Sequence, residues 1–356
     1  MSPYCIAWRR GLKAYNGGMN GRRPLQRGEK MPVKHWSFAG LVLTYWCNAR
    51  CASCYLRCAP ERGEPMSADS AIELWRQLIE ASPHGCRIHL GGGEPFGDWP
   101  TLLEICRRAK TAGLAPLEKI ETNAFWACDE PTVRDRLRAL DDAGMGKLCI
   151  SADPYHQQFV PIDRCRLAAR VASELLGADR VQVRWRDWLA AGFDTAEMDD
   201  AVRGRLFGRY AESGRDRLNG RAAECLAPRL QRKNPAHFAD TSCAEAILRS
   251  RHVHVDAAGR VMPGTCAGIL LGRLSDRTSV RQIWESLAAD HAVRPIVGTL
   301  ARAGPVGLMQ LAKPAGFVPS PQGYAGKCHL CWEIRRRLVE VGEFPDELGP
   351  VWMYEK

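Results

Sequence analysis

The stretch FAGLVLTYWCNARCASC, residues 38–54, decides the fold because an apolar run passes directly into closely spaced cysteines. The apolar half predicts a buried strand, and Cys47, Cys51 and Cys54 follow it on a short loop. Thiolates are soft ligands that suit zinc and iron–sulfur clusters. Structural zinc takes four ligands in a closed tetrahedron. Three cysteines therefore leave one position open, unless Cys58 completes the set.

Downstream of this stretch, short apolar runs alternate with segments of helical periodicity. Strands separated by single helices imply a parallel sheet with right-handed crossovers. We therefore expect an α/β fold built on a partial (β/α)6 TIM-like barrel, with its last strand and helix within residues 186–240. In such barrels the chemistry lies where strands end. The predicted strands are Phe38–Tyr45, Arg87–Leu90, Leu117–Glu121, Lys147–Ser151 and Arg180–Trp185.

The chain divides into three predicted regions. Residues 1–37 form a basic N-terminal arm with eight Lys or Arg and one acidic residue, and residues 38–240 form the barrel. Residues 241–356 form a small α+β domain that begins with a predicted hairpin over residues 252–262. The glycines and prolines of residues 302–327 predict a long loop.

Composition excludes several classes of protein. The 356 residues are 46% apolar and 25% charged, which excludes a largely disordered chain. The sequence has no apolar run long enough to predict a membrane-spanning helix. The N-terminus lacks the pattern of an export signal, so we expect a reducing, cytoplasmic location where structural disulfides are disfavoured. The net charge of +10 suits an anionic substrate, an acidic reductase or RNA. No RNA-binding motif is present, so nucleic acid is not an expected partner.

A run of arginines and a set of cysteines also require interpretation. Six arginines between residues 203 and 221 form a basic run that we interpret as a solvated helix face. Several of the fifteen cysteines, namely Cys86, Cys106 and Cys149, lie inside apolar runs and are expected to pack as small hydrophobes. Two other groups are spaced for metal ligation or redox work. The second group is Cys328-x2-Cys331, and with Cys243 and Cys266 it offers four thiolates that could close one metal site.

Other unusual residues also follow strand ends. Glycine allows a ligand to approach the backbone closely, and a glycine run with one carboxylate ends the second strand. Polar residues end the third and fourth strands. These motifs are Gly91-Gly92-Gly93-Glu94-Pro95, Glu121-Thr122-Asn123 and Ser151-Ala152-Asp153.

Together the motifs resemble those of the radical S-adenosylmethionine (SAM) enzymes. Their cysteine spacing of x3 and x2, their Gly-Gly-Glu-Pro segment, their Thr-Asn pair and their Ser-x-Asp segment all have counterparts here, in order on successive strands. The resemblance implies a 4Fe–4S cluster on the first three cysteines, whose open iron binds S-adenosylmethionine. It implies reductive cleavage to a 5′-deoxyadenosyl radical that abstracts a hydrogen atom from substrate. An electron donor of the flavodoxin or ferredoxin type is also implied.

The resemblance also implies roles for residues around the cofactor. The backbone of the glycine run and the carboxylate of Glu94 would hold the ammonium group of SAM by charge-assisted hydrogen bonds. Arg184, assisted by Ser151, would bind its carboxylate. Many members carry an aromatic residue before the third cysteine, whereas this chain has Ser53 there and Tyr55 after the cysteine. The implied cofactor-binding residues are Gly91, Gly92, Gly93, Glu94, Asn123, Ser151, Arg184 and Tyr55.

The C-terminal region resembles the twitch domain, a shortened relative of the SPASM domain that holds one auxiliary 4Fe–4S cluster. Its ligands would be Cys243, Cys266, Cys328 and Cys331, with structural zinc as the alternative. A fully ligated cluster has no place for substrate and is suited to electron transfer, which favours an oxidation such as a dehydrogenation or a cross-link. The acid–base pair for that reaction would be Asp153 and His156.

Three functional hypotheses follow. The first is an oxidising radical SAM enzyme that acts on a small molecule or a carbohydrate-like alcohol. The second is a maturase that modifies a ribosomally made peptide with the same cofactors. The third is a non-catalytic metal-binding or electron-transfer protein, which would form no 5′-deoxyadenosine. The sequence does not reveal the substrate.

Overall fold

The computed structural model describes residues 31–63, 65–114 and 116–355. Most of the predicted basic arm over residues 1–37 lies outside the described residues. The described end of that segment packs against the protein, because Trp36 is buried and the Met31 N–H donates to His291 Nε2 at 3.1 Å. No helix in the described ranges is long and apolar enough to cross a membrane.

Eight strands form one sheet, and they are β1 Phe38–Thr44, β2 Arg87–Gly92, β3 Leu117–Thr122, β4 Lys147–Ile150, β5 Val181–Val183, β6 His252–Asp256, β7 Arg260–Pro263 and β8 Gly272–Arg273. Their order across the sheet is β5-β4-β3-β2-β1-β6-β7-β8. All pairings among β1 to β6 are parallel, whereas β7 pairs antiparallel with β6 and β8 pairs antiparallel with β7. The sequence therefore predicted the first five strands and the hairpin correctly to within a few residues.

From β1 to β5 each crossover moves one strand along the sheet in the same direction. Right-handed crossovers then place the connecting helices on one face, as in a segment of a (β/α) barrel. The helices of the chain are α1 Ala68–Glu80, α2 Trp99–Thr111, α3 Glu130–Asp142, α4 Ile162–Leu176, α5 Arg186–Ala191, α6 Asp200–Ala211, α7 Arg221–Cys225, α8 Ala244–Ile247, α9 Val280–Asp290, α10 Pro295–Leu311 and α11 Lys327–Glu340. The helices that cover the sheet contact one another in the order α9, α1, α2, α3, α4.

The main core lies between the sheet and this row of helices. Side chains alternate between the two faces of a strand, and one face of the sheet is uniformly apolar and fully buried, as at Leu41, Ile88, Ile120 and Leu148. The other face carries glycine and polar residues. One face of the sheet therefore forms part of the core, and the opposite face is free to carry residues with chemical functions.

The sixth parallel strand is not where the sequence predicted it. Residues 186–240, all of them described, contain helices α5 to α7 and no strand. The sixth parallel strand is β6, the first strand of the predicted hairpin, and it pairs with β1 on the side opposite β2. This pairing satisfies backbone groups along an edge of β1 that would otherwise lack partners. The mixed α/β fold is confirmed. The partial barrel and a separate domain beyond residue 240 stay predictions. The sheet contains strands from both sides of residue 240.

The prediction of a long loop over residues 302–327 is wrong for the first part of that segment. Helix α10 continues to Leu311, with a kink at Gly304, which adopts φ 58°. Only glycine takes this conformation at low cost. Pro305 then occupies the start of the second helical segment, where its missing N–H is no loss.

Candidate functional site

A cavity of about 840 Å³, measured to its open mouth, gathers the cysteine loop and the ends of four parallel strands. Its walls include the following predicted site residues: Cys47, Cys51, Cys54, Tyr55, Gly91, Gly92, Gly93, Asn123, Ser151, His156 and Arg184. The parallel sheet thus brings together motifs that are up to 137 residues apart, Cys47 to Arg184.

The three cysteines of the loop are free thiols. Cys47 and Cys51 are buried, and Cys54 is half-buried. The Cys58 side chain hydrogen-bonds the Cys54 sulfur, and with the charge of Arg221 it lowers the pKa of Cys54 to about 5 against the opposing effect of burial. The Cys58 N–H also donates to Cys54 Sγ at 3.3 Å. These contacts favour the thiolate form of Cys54, which is the form that binds metal.

Arg221 holds the cysteine loop in place. Its guanidinium donates to the carbonyls of Cys51 at 3.1 Å and Cys58 at 3.0 Å, and its backbone N–H donates to the Cys54 carbonyl at 3.0 Å. The interpretation of the basic run as a solvated face is therefore wrong for Arg221. Gly220, at φ 57°, lies against the loop so closely that a Cβ would be 2.3 Å from the Tyr55 carbonyl oxygen.

The glycine run at the end of β2 is locked to the end of β1. The Gly93 N–H donates to the Thr44 carbonyl at 2.7 Å, and the Glu94 N–H donates to the Trp46 carbonyl at 2.9 Å. A Cβ on Gly93 would lie 1.9 Å from the Trp46 carbonyl oxygen, whereas a Cβ on Gly91 would meet only the end of the Glu121 side chain at 3.3 Å. The third glycine is therefore required by the backbone, and the first is not.

We expect Gly93→Ala to destabilise the fold by about 3 kcal/mol or more, because the added methyl group overlaps fixed backbone. Gly91→Ala is the matched control and is expected to cost less than about 1 kcal/mol, because a side-chain end can move aside. The urea unfolding midpoints of the two variants check this. Equal midpoints would contradict the close approach of β2 to the Trp46 backbone.

Glu94 is the one predicted cofactor-binding residue that does not line the cavity. Its side chain is fully buried and accepts hydrogen bonds from the N–H groups of Phe96 and Asn123, at 3.2 and 2.6 Å, and from the Thr122 hydroxyl at 2.8 Å. Burial raises its pKa to about 7 against these hydrogen bonds. In this structure Glu94 ties the ends of β2 and β3 together behind the cavity wall.

Asn123 connects this arrangement to the cysteine loop. Its side-chain amide donates to Asn48 Oδ1 at 2.9 Å and contacts Cys47 Sγ at 3.7 Å. Because its backbone N–H is held by Glu94, the amide is fixed beside a thiol of the loop. The Glu94 and Asn123 motifs therefore position the first cysteine.

The predicted acid–base pair is assembled at the other side of the cavity. His156 Nδ1 lies 2.8 Å from Asp153 Oδ2, and Arg184 Nε lies 3.2 Å from the same oxygen. Burial would raise the pKa of Asp153, but the charge and hydrogen bond of His156, together with Arg184, lower it to about 2. Burial lowers the pKa of His156, but Asp153 and Cys51 outweigh it and raise that pKa well above its ordinary value. The pair is therefore ionised, with the imidazole as the proton donor.

Arg184 is shared between two buried carboxylates. The second is Asp216, whose side chain is 2% exposed and also accepts a hydrogen bond from the Tyr155 hydroxyl at 2.9 Å. The Arg184 side chain keeps 34% of its surface exposed at the cavity. It therefore joins β5 to the loop after β4 and still presents part of its guanidinium to the cavity.

We expect Asp153→Asn to destabilise the protein by about 3 kcal/mol, because the substitution leaves His156 and Arg184 without their shared buried counter-charge. Asp163→Asn on α4 is the control, since Asp163 is 86% exposed and pairs with Arg166 at the surface, and it should change stability by less than about 0.5 kcal/mol. Unfolding midpoints in urea measure both. A shift no larger than that of the control would contradict the buried network.

The four C-terminal cysteines also come together. Cys243 precedes α8, Cys266 follows β7, and Cys328 and Cys331 lie near the start of α11. All four are free thiols. Burial raises the pKa of Cys243, Cys331, and Cys328, the last to about 11, and in each case the neighbouring cysteines of this set raise it further. The pKa of Cys225 is raised by burial and by Glu224, and none of these four cysteines is among the main influences on it. We therefore do not assign Cys225 to the group.

Among the described residues, the group of three or more Cys, His, Asp or Glu whose ligand atoms all lie within 4.8 Å of one another is His89, His252 and His254. Neither cysteine group, as the structure describes it, meets this distance.

Sequence reasoning missed several residues of the site. Asp216 and Arg221 lie in a segment that reaches the site through contacts with residues far away in the sequence. Such contacts leave no pattern in the local sequence. His89, Glu121 and His254 also line the cavity. A signal for the histidines was present, since two histidines separated by one residue on a strand share a face.

The chain matches no protein-family model, and no curated protein matches it. Solved structures similar to it include BtrN in complex with AdoMet and 2-DOIA, at 16% identity and a TM-score of 0.43, covering 77% of this chain and 90% of that chain. Native anSMEcpe with bound AdoMet and Cp18Cys peptide is 13% identical with a TM-score of 0.42, covering 90% and 94%. Streptococcus suis SuiB bound to precursor peptide SuiA is 12% identical with a TM-score of 0.37, covering 83% and 76%. At these levels of similarity, the functional assignment depends on the residues of the site.

Proposed function

We propose that this chain is a radical SAM enzyme that oxidises its substrate. The observation that carries the proposal is the single cavity into which three closely spaced thiols, a glycine run and the polar ends of β3, β4 and β5 all project. Each of these groups matches a motif that the sequence places in that family. The assignment depends on their coincidence in space, since each motif alone has a structural explanation.

The donor set fits a 4Fe–4S cluster with one iron open. Cys47, Cys51 and Cys54 would hold it, because they form no disulfide and share the cavity wall. When bound, such a cluster supplies the electron that cleaves S-adenosylmethionine to methionine and the 5′-deoxyadenosyl radical. Arg221 and Asn123 hold the loop that carries these thiols.

The cavity walls offer groups of the right charge for S-adenosylmethionine. The backbone of Gly91–Gly93 would bind its ammonium group, and the exposed part of Arg184, with Ser151, would bind its carboxylate. Tyr55 lines the same cavity and offers an aromatic surface. Glu94 would act from behind the wall, by fixing the glycine run and Asn123.

The proposed net reaction is an oxidation, such as the dehydrogenation of an alcohol. The substrate would lose one hydrogen atom, one proton and one electron. Cys243, Cys266, Cys328 and Cys331 would hold an auxiliary cluster that supplies the acceptor for that electron. Asp153 fixes the His156 side chain at the cavity. After the imidazolium has released its own proton to solvent, the neutral imidazole would accept the proton that the substrate loses.

Electron paramagnetic resonance of the reduced, reconstituted protein tests the proposed cofactor site. Adding S-adenosylmethionine should change the spectrum of one cluster, because the molecule would bind directly to its open iron. Gly91→Val should weaken this response, because its larger side chain would project toward Glu121 at the cavity wall. A spectrum that stays unchanged at saturating S-adenosylmethionine would contradict an open iron.

A further inference from the structure

Three histidines from two strands meet on the inner face of the sheet. His89 lies on β2, and His252 and His254 lie on β6, on the two sides of β1. Gly40 of β1 is in register with both His89 and His254. The ligand nitrogens of the three imidazoles all lie within 4.8 Å of one another, and the Nε2 atoms of His89 and His252 are 2.9 Å apart.

Two glycines make room for these rings. A Cβ on Gly40 would lie 2.3 Å from His254 Cδ2 and 2.4 Å from His89 Nε2. A Cβ on Gly264, just after β7, would lie 2.3 Å from His252 Nδ1. Neither glycine has a positive φ. Backbone conformation therefore does not require glycine at either position, and the space for the imidazoles does.

His89 and His254 are buried, and His252 is half-buried. His89 is 4% exposed, and its Nδ1 atom is buried without a hydrogen-bond partner. Such a buried polar atom normally has a partner.

The charged groups around the cluster are a carboxylate and two cations. Glu121 Oε1 lies 3.5 Å from His89 Nδ1, and Lys119 Nζ lies 2.7 Å from the same carboxylate oxygen. Glu121 is partly exposed at the cavity and offers a carboxylate beside the rings, for which a metal ion would compete with Lys119. Arg217 is a further cation within electrostatic range of His252. No cysteine belongs to this group, so soft, thiolate-seeking ions are disfavoured.

We propose that His89, His252 and His254 bind one divalent transition-metal ion of the Zn²⁺ type, with Glu121 as an adjacent carboxylate. The proposal does not depend on the radical SAM assignment. Zinc–nitrogen bonds of about 2.0–2.1 Å place ligand nitrogens about 3.4 Å apart, which small ring rotations within the present cluster can reach. Three protein ligands leave a coordination position for a further group.

The site lies in the same cavity as the cysteine loop, one layer deeper. His89 and His254 line that cavity, and Gly40 precedes the end of β1 by four residues, or about 13 Å along the strand. An ion there would present its remaining position to the cavity. It would bind an anionic or hydroxyl oxygen of a substrate and so fix the substrate beneath the cysteine loop.

Zinc content and zinc K-edge absorption of the reconstituted holoprotein test the proposal. After equilibrium dialysis against Zn²⁺, we expect about one zinc per chain, surrounded by nitrogen and oxygen at about 2.0–2.1 Å. His252→Gln and His254→Gln should each reduce the zinc content to near zero, while iron content stays unchanged and reports an intact fold. His291→Gln, which alters another buried histidine, should retain the zinc.

The wild-type absorption spectrum decides the question even if a histidine variant fails to fold. A sulfur shell at about 2.3 Å would assign the zinc to cysteines and overturn the proposal. Absence of bound zinc, or zinc retained by both histidine variants, would also overturn it. None of these results depends on whether S-adenosylmethionine is cleaved, so failure of this site and failure of the proposed function can be told apart.

Discussion

The triple variant Cys47/Cys51/Cys54→Ala is expected to lose one iron–sulfur cluster and all cleavage of S-adenosylmethionine. After anaerobic reconstitution the wild type should contain about eight irons per chain and the variant about four. The reason is that these thiols lie on one loop at the cavity wall, whereas the other four cysteines are held by α8, α11 and the turn after β7. Iron and acid-labile sulfide measure the loss.

Cys58→Ala is the matched control for this variant. Cys58 lines the same cavity and contacts Cys54, so it is the one cysteine that could close the cluster. We expect it to retain about eight irons. If Cys58→Ala also lost four irons, the cluster would have four protein ligands and no open iron. A wild type with about four irons that falls to none in the triple variant would remove the auxiliary cluster from the account.

The double variant Cys328/Cys331→Ala is expected to lose the other cluster and keep the cleavage reaction. Both thiols lie near the start of α11. They are grouped with Cys243 and Cys266 because the cysteines of this set raise one another's pKa. Iron should fall from about eight to about four, while 5′-deoxyadenosine is still formed. Iron analysis and chromatography of the nucleoside products check the two parts separately.

Cys225→Ala controls for the general effect of removing a half-buried thiol from the same region. It should retain all the iron, because Cys225 is not among the groups that influence the four cysteines. Loss of zinc with retention of about eight irons in the double variant would contradict the auxiliary cluster. Loss of iron in Cys225→Ala would reassign one of the four ligands.

Most of the sheet could be predicted because buried parallel strands appear as short apolar runs bounded by helical segments. The site at the strand ends followed from the same pattern, since parallel strands end at one edge. The sixth parallel strand could not be placed, because the pairing of β6 with β1 joins residues more than 200 positions apart. Periodicity within a segment carries no information about which edge of the sheet it joins.

Local composition was misleading where a single residue determines the backbone conformation of a segment. Residues 302–327 are rich in glycine and proline, yet helix α10 continues to Leu311, because Gly304 takes the kink and Pro305 starts a new helical segment. Likewise, Arg221 belongs to a charged run but turns toward the carbonyls of the cysteine loop. The three histidines appeared as ordinary strand residues until the register placed them around Gly40.

The most direct test of the central claim is the formation of 5′-deoxyadenosine by the reconstituted, reduced protein with S-adenosylmethionine. The account predicts that wild type and Cys328/Cys331→Ala form it and that Cys47/Cys51/Cys54→Ala does not. If wild type with a full complement of about eight irons forms no 5′-deoxyadenosine, the chain is a metal-binding or electron-transfer protein and the radical SAM assignment is wrong.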